Sequence, residues 1–303
     1  MKKSVFIFLS CALMMSAVCV SCETASPLSD EGDDGGAYRV VFQVSEYEQV
    51  PFDGQTRASE NVTSVCSRID FAVFSGATRV KNIHQTADDD DFGTISLQLD
   101  EGTYRIVALA HSGAGNATVT SPEKITFSNN KLTDTFYHTE EITVSQPMSS
   151  EIGLQRAVAM FRLVLNDTMP STVNQMYFYY TGGSSTLNAL TGYGCVQSRQ
   201  TEEIAVDASQ HGRPSQFEIY TFPHAEKDTL KITVKAMTAN SIEKTREYDN
   251  VPVARNMITQ YSGNFFDDSA TVSPDTTSTG TPSGAYNATF VADTAWTQMN
   301  FTY

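Results

Sequence analysis

Tryptophan occurs once in this chain, at Trp296, and only 20 lysines and arginines stand against 35 aspartates and glutamates. Nucleic acid is therefore not an expected partner, because backbone phosphates select clusters of Lys and Arg and the sequence contains none. Nor does an acidic surface add attraction to anionic lipid. The five histidines, His84, His111, His138, His211 and His224, are scattered, with no i, i+4 pair and no metal-binding cluster with cysteine, so no metal constellation is visible. Asp88-Asp89-Asp90-Asp91 lacks the alternating oxygen ligands, turn glycine and distal Glu of a calcium loop and is read as a solvated loop. Gly182-Gly183 lacks the lysine and helix start of a phosphate loop, and no serine sits in a nucleophile elbow. Neither enzymatic activity nor a cofactor is expected.

Cysteine is also sparse. Of five, Cys11 and Cys19 lie in the leading apolar segment and Cys22 ends it, which leaves Cys66 and Cys195. Each has a valine neighbour and each falls in a different expected domain. Two buried, unpaired thiols are expected rather than a bridge, so the fold must be held by hydrophobic cores.

What is present begins with Lys2-Lys3, the apolar stretch Val5 to Val20, and the junction Ser21-Cys22. Interrupted by Ser10 and Ser16, that stretch falls short of the roughly 20 apolar residues of a spanning helix and suits an export signal. Small Ser21 lets a peptidase cut before Cys22. The segment resembles the bacterial lipobox, with Cys19 where Leu is usual. On that reading Cys22 is acylated, and each buried CH₂ of its lipid, palmitate for example, contributes about 0.8 kcal/mol to holding the chain at the outer membrane. The alternative is a secretory signal that releases a soluble protein. Cutting before Cys22 removes two lysines and no acid, taking the net charge from −15 to −17.

Residues 22–37 are acidic and nearly devoid of apolar side chains, so they read as a tether. They are similar to the post-cysteine sequences that send some Gram-negative lipoproteins to the outer face of the cell, and a plain spacer fits equally well. From Tyr38 the texture changes to short apolar runs of period two. Ile95, Leu97 and Leu99 alternate with polar residues, and Tyr104 to Leu109 follows across Glu101-Gly102, which predicts a hairpin with Gly102 in the turn. Arg39 to Val44, Ile69 to Phe74, Ile125 to Phe127 and Ile142 to Val144 are further strands. The run Leu154 to Leu165 is too continuously apolar for a one-sided strand and is expected at the centre of its sheet. Met176 to Tyr180, Phe217 to Phe222, Leu230 to Ala236 and Ile258 to Tyr261 continue the pattern. No helix of comparable strength appears.

The chain is thus expected to be all-β, with antiparallel sandwiches at 38–150 and 151–266 and a Ser/Thr/Pro/Gly-rich tail at 267–303. Its end, Trp296 to Tyr303, has the pattern of a strand with Met299, Phe301 and Tyr303 on one face. It either folds back on its own domain or donates itself to a partner's sheet. Triplets of Asp, Ser or Thr, and a small or aliphatic residue resemble an O-glycan acceptor of some Gram-negative exported proteins. Those of the tail, carrying Ser269, Thr276 and Thr294, are the accessible ones.

Four phrases, Ile69-Asp70-Phe71-Ala72-Val73-Phe74, Leu99-Asp100-Glu101-Gly102-Thr103-Tyr104, Leu154-Gln155-Arg156-Ala157-Val158-Ala159 and Val251-Pro252-Val253-Ala254-Arg255-Asn256, together resemble the fimbrillin superfamily, specifically FimB-type fimbrial anchor subunits. The resemblance spans about residues 38–266. It implies two transthyretin-like sandwiches and a surface role in fimbriae: anchoring, assembly or adhesion, with other fimbrial subunits as partners. Thr56-Arg57-Ala58 departs from the anchor pattern and looks like the arginine-specific processing site of polymerising fimbrillins. Cutting there would remove the lipid, so anchor, stalk and tip subunit all remain open, as does the adhesion ligand. A surface glycan-binding lipoprotein is the rival reading. It would want exposed aromatic platforms, for which one tryptophan and 13 tyrosines are available.

Overall fold

The computed structural model describes residues 37–47, 65–267, 291–293 and 296–302. Its strands run β1 (Ala37–Tyr47), β2 (Arg68–Ser75), β3 (Thr78–Thr86), β4 (Thr94–Asp100), β5 (Gly102–His111), β6 (Thr118–Ser121), β7 (Lys124–Thr126), β8 (Thr135–Val144), β9 (Met148–Arg156) and β10 (Ala159–Leu165). They continue as β11 (Gln175–Thr181), β12 (Thr186–Asn188), β13 (Tyr193–Gly194), β14 (Gln200–Ala205), β15 (Ser215–Thr221), β16 (Asp228–Met237), β17 (Ile242–Val253), β18 (Met257–Gly263), β19 (Val291–Asp293) and β20 (Trp296–Thr302). The protein is all-β; among the described residues the sole helical turn is a 3-10 segment at Ser128–Asn130.

Alternating apolar residues give most strands one dry face, and those faces close into two sandwiches. In the first, β3-β2-β5-β8 lies over β4-β1-β9, the two layers touching edge to edge only where Phe136 and Tyr137 of β8 pair with Arg156 and Gln155 of β9. Its core joins Val40, Phe42 and Val44 of β1 to Phe71 and Val73 of β2, Ile95 of β4, Ile106 of β5 and Ile152 of β9. In the second, β14-β11-β16-β17 lies over β15-β10-β18-β20-β19, with Phe161, Leu163, Phe178, Ile219, Ile232 and Val251 between them. Most pairs are antiparallel, but β1 with β9, β10 with β18, and β18 with β20 are parallel.

The two sandwiches repeat one another: β4-β1-β9 matches β15-β10-β18, and β3-β2-β5-β8 matches β14-β11-β16-β17. A further small sheet, β13-β12-β7-β6, stitches them together, with Leu187 opposite Ile125. Beneath it lies a shared core in which Phe74, Leu109, Ile125 and Phe127 of the first half meet Val158, Met160, Leu187 and Phe222 of the second.

Two local expectations are corrected. The strands on either side of Glu101 exist but are not a hairpin: β4 pairs with β1, and β5 pairs with β2 and β8. The chain crosses there from one layer to the other, Gly102 is not among the residues of positive φ, and the arch is tied by the Tyr104 hydroxyl donating to Asp100 O at 3.1 Å. Alternation fixes which face is buried; it does not fix the partner. Tight hairpins do occur nearby, as at β2–β3, where Gly76 at φ 56° makes the turn and Ser75 pairs with Thr78. Likewise, Leu154 to Leu165 is two strands, β9 and β10, broken at Ala157-Val158. The run is continuously apolar because its middle passes through the shared core, where Val158 is fully enclosed.

Candidate functional site

Of the residues singled out above, Cys22, Arg57, Ser269, Thr276, Thr294 and Tyr303 lie outside the described residues. Trp296, Met299 and Phe301 fall in β20. Those that are described therefore share one strand, and the strand that precedes Arg57, β1, is the other sheet position that matters.

The first is β1. Ala37 to Gln43 pair antiparallel with β4, while Val40 to Tyr47 pair parallel with β9, so the strand is clamped on both sides. Val40, Phe42 and Val44 are buried, and Phe42 stacks on Phe71 at 5.0 Å between ring centroids. Seventeen residues, 48–64, separate its end from Val65, and Arg57 is among them. Withdrawal of β1 would open a groove with backbone edges on β4 and β9 and a floor made of the first core.

The second is β20. It pairs parallel with β18 from Met257↔Thr297 to Ser262↔Thr302, and β19 pairs antiparallel on its other side. Phe301 sits on Tyr261 with centroids 4.7 Å apart, and Tyr261 in turn meets Phe161 and Tyr248. The terminal strand thus folds back on its own sandwich and joins the second core from its rim.

Two of the family-like phrases meet at the junction between the sandwiches. Arg156 donates to both carboxylate oxygens of Asp134 and, through Nη1, to Asn256 Oδ1 at 2.7 Å. Asn256, held at φ 58°, donates its backbone N–H to Val158 O. Arg255 donates to the Tyr137 hydroxyl at 2.7 Å and stacks over Tyr193. These residues hold the two halves in register.

Another cluster could not be seen in sequence. Asp70, fully buried in β2, receives His84 of β3 on one oxygen, and on the other His111 of β5 at 2.8 Å and the Ala117 N–H at 2.8 Å. His111 Nδ1 accepts from Gly113 N–H, which leaves its Nε2 as the donor to Asp70. The signal lies in the register, since β2–β3 pairing sets His84 directly opposite Asp70. The carboxylate receives three donors, one on Oδ1 and two on Oδ2, so this buried group is paired, as structural buried carboxylates are. Among the described residues no group of three or more His, Cys, Asp and Glu is arranged to hold a metal. The thiols also depart from expectation in one respect. Cys66 is buried and free, with burial pushing its pKa up, whereas Cys195 is free but exposed, in a connection rather than a strand.

The architecture defines an all-β protein of two sandwiches in which β1 and β20, the first and last strands among the described residues, are each paired on both sides. The chain belongs to DUF6562, a family of unknown function, whose model matches residues 36–278. No curated protein matches it. Among solved structures it is similar to a candidate adhesin from Bacteroides ovatus ATCC 8483, at 11% identity and TM-score 0.48, over 72% of this chain and 84% of that one. It is also similar to candidate polysaccharide-binding proteins (DUF1812) from Bacteroides thetaiotaomicron, at 11% and 0.45, over 70% and 80%. The fimbrial anchor protein Mfa2 from Porphyromonas gingivalis is similar at 9% and 0.41, over 70% and 82%.

Proposed function

We propose that this protein is a lipid-anchored subunit of a cell-surface fimbrial assembly, an anchor or accessory subunit that joins its neighbours by strand addition and contributes to adhesion. The observation that carries the reading is the placement of β1, a buried strand paired on both sides and followed at once by the segment that contains Arg57. Cutting after Arg57 severs β1 from the rest of its sandwich, so the strand can leave and its groove can accept another. β20 is the matching donor: it follows the Ser/Thr/Pro/Gly-rich segment in sequence, and its Phe301 packs on the second core from the rim. In strand addition backbone pairing gives affinity and the pockets for alternate side chains give register. The sequence of residues 1–22 supports the anchor, through acylation of Cys22, and the tail residues Ser269, Thr276 and Thr294 are its proposed glycan acceptors.

Lipid and groove are alternatives. An uncut chain keeps Cys22 and a filled groove; a cut chain loses the lipid and can polymerise. Mass spectrometry of the mature N-terminus, combined with deletion of residues 296–303, tests both halves. An N-terminus at acylated Cys22 identifies an anchor, one at Ala58 identifies a polymerising subunit, and unchanged assembly after the deletion removes the donor role.

One observation favours the glycan-binding alternative. On β11, Met176, Phe178 and Tyr180 are buried while Tyr177 and Tyr179 are half-buried on the opposite face, with Lys235 over the Tyr177 ring. If this face binds polysaccharide, the protein is retarded in a polysaccharide affinity gel and the Tyr177→Ala, Tyr179→Ala double variant is not.

A further inference from the structure

β9 and β18 hold equivalent places in the repeat. Each runs parallel to the first strand of its sandwich, and each lies one strand further from the sheet edge formed by β4 or β15. Beyond β18 lies β20, in parallel. Beyond β9, from Met148 to Leu154, no described strand pairs; β8 meets it only at Gln155 and Arg156. Among the described residues, the chain therefore shows this position filled in one sandwich and without a strand in the other.

We propose that the outer edge of β9, at Met148–Ile152, is a second strand-accepting site, filled in parallel by β20 of another copy of this chain while β1 stays in place. The inference rests on the donor strand of the proposed function but not on cutting after Arg57. An uncut chain then both donates and accepts.

The backbone of β9 is oriented for this. His138 Nδ1 lies 3.0 Å from Gly153 O, which marks that carbonyl as facing away from β1. Because backbone groups alternate along a strand, those of Ser149 and Glu151 face outward as well. His138 closes the edge at Gly153, leaving a stretch of about five residues, close to the usual strand length. The side chains of Ser149 and Glu151 are exposed, so they do not obstruct an arriving strand. A charged residue on an edge discourages indiscriminate pairing. β20, Trp-Thr-Gln-Met-Asn-Phe-Thr, carries no charge and meets Glu151 without repulsion.

Reach is no obstacle. Residues 268–290, 23 in number, join β18's exit to β19. Twenty-three residues can extend to at most about 3.3–3.6 Å × n, roughly 75–80 Å, so chain length does not forbid β19 and β20 from reaching an adjoining molecule. The exchange replaces the β18–β20 pairing by an equivalent one on a second molecule, which is the low-cost logic of a domain swap.

The test uses the chain without residues 1–22 and with Arg57→Ala, so that neither lipid nor cutting contributes. Sedimentation velocity over a concentration series is expected to show head-to-tail oligomers. Glu151→Pro removes one outward N–H and sets a ring on the edge while sparing the β1–β9 bonds, and it is expected to weaken association by about tenfold or more with an unchanged melting curve. Should that variant fold poorly, cross-linking decides: a Glu151→Cys chain mixed with an Asn300→Cys chain, the pair opposed when β9 takes the place of β18, both carrying Cys195→Ser, should form a disulfide-linked dimer. An uncut chain that stays monomeric, or a mixture that forms no such dimer, overturns the proposal. Assembly lost on deleting residues 296–303 but unaffected by a well-folded Glu151→Pro also overturns it and leaves the donor reading standing. Assembly unchanged by the deletion overturns the donor reading itself.

Discussion

Arg156 holds Asp134 by two points, Nε on Oδ1 at 2.7 Å and Nη2 on Oδ2 at 2.8 Å, and with its third nitrogen reaches Asn256 in the turn before β18. Its guanidinium also lies over the Phe136 ring at 4.7 Å. The Arg156 side chain is 3% exposed and that of Asp134 25%, so removing the arginine strands a carboxylate that water reaches only in part. Arg156→Met is expected to cost about 3 kcal/mol, the lower end of the range for breaking a buried pair. Urea unfolding checks it, and a loss under about 1 kcal/mol would show that the pair is peripheral.

Val158→Asp places a carboxylate in the shared core, where Val158 has no exposed surface. An unpaired charge there is expected to cost more than about 4 kcal/mol. Because the shared core belongs to both sandwiches, both should lose stability together. Intrinsic fluorescence and proteolysis followed in parallel would reveal one early-melting half if that coupling is absent.

Gly192 is held at φ 73°, and a Cβ there would come within 1.9 Å of the Tyr137 hydroxyl and 2.2 Å of Arg255 Nη1. Gly192→Ala therefore combines left-handed backbone strain with displacement of the Arg255–Tyr137 bond, and about 2–3 kcal/mol of destabilisation is expected. Thermal melting provides the measurement. Tyr137→Phe in the Gly192→Ala background should restore part of the loss.

Thiol labelling separates the two cysteines beyond residue 22. Cys195 is exposed, and Cys66 is buried with its thiol pushed strongly toward the neutral form by that burial. With residues 1–22 absent, one equivalent of an aromatic disulfide reagent should react in the native state and a second only on unfolding. Two fast equivalents would mean that the Val65–Arg68 entry to β2 opens readily.

Strand content was legible where one face is apolar: the alternation of Ile95, Leu97 and Leu99 and of Met176, Phe178 and Tyr180 marks β4 and β11 directly. It was not legible in β3 or in the first half of β17, which are polar on both faces, because they sit at the outer sheet edges and depend on β2 and β16 for their shape. Pairing was the other hidden quantity. Nothing local in residues 94–111 distinguishes a hairpin from an arch, since both bury the same side chains. For the same reason the convergence of His84 and His111 on Asp70, and of Arg156 on Asn256, lay beyond sequence patterns. Each depends on which strands become neighbours.

The parallel pairing of β1 with β9 also sets how the fold bears load. A pull on the chain ahead of Ala37 draws β1 one way along its axis, while the body of the protein, continuing from the far end of β9, resists in the opposite sense. The bonds between the two strands are then strained side by side and must yield together, whereas an antiparallel neighbour joined by a turn would release them one after another. A molecule tethered ahead of β1 and tugged from the far side of β9 would load this seam in shear rather than peel it open.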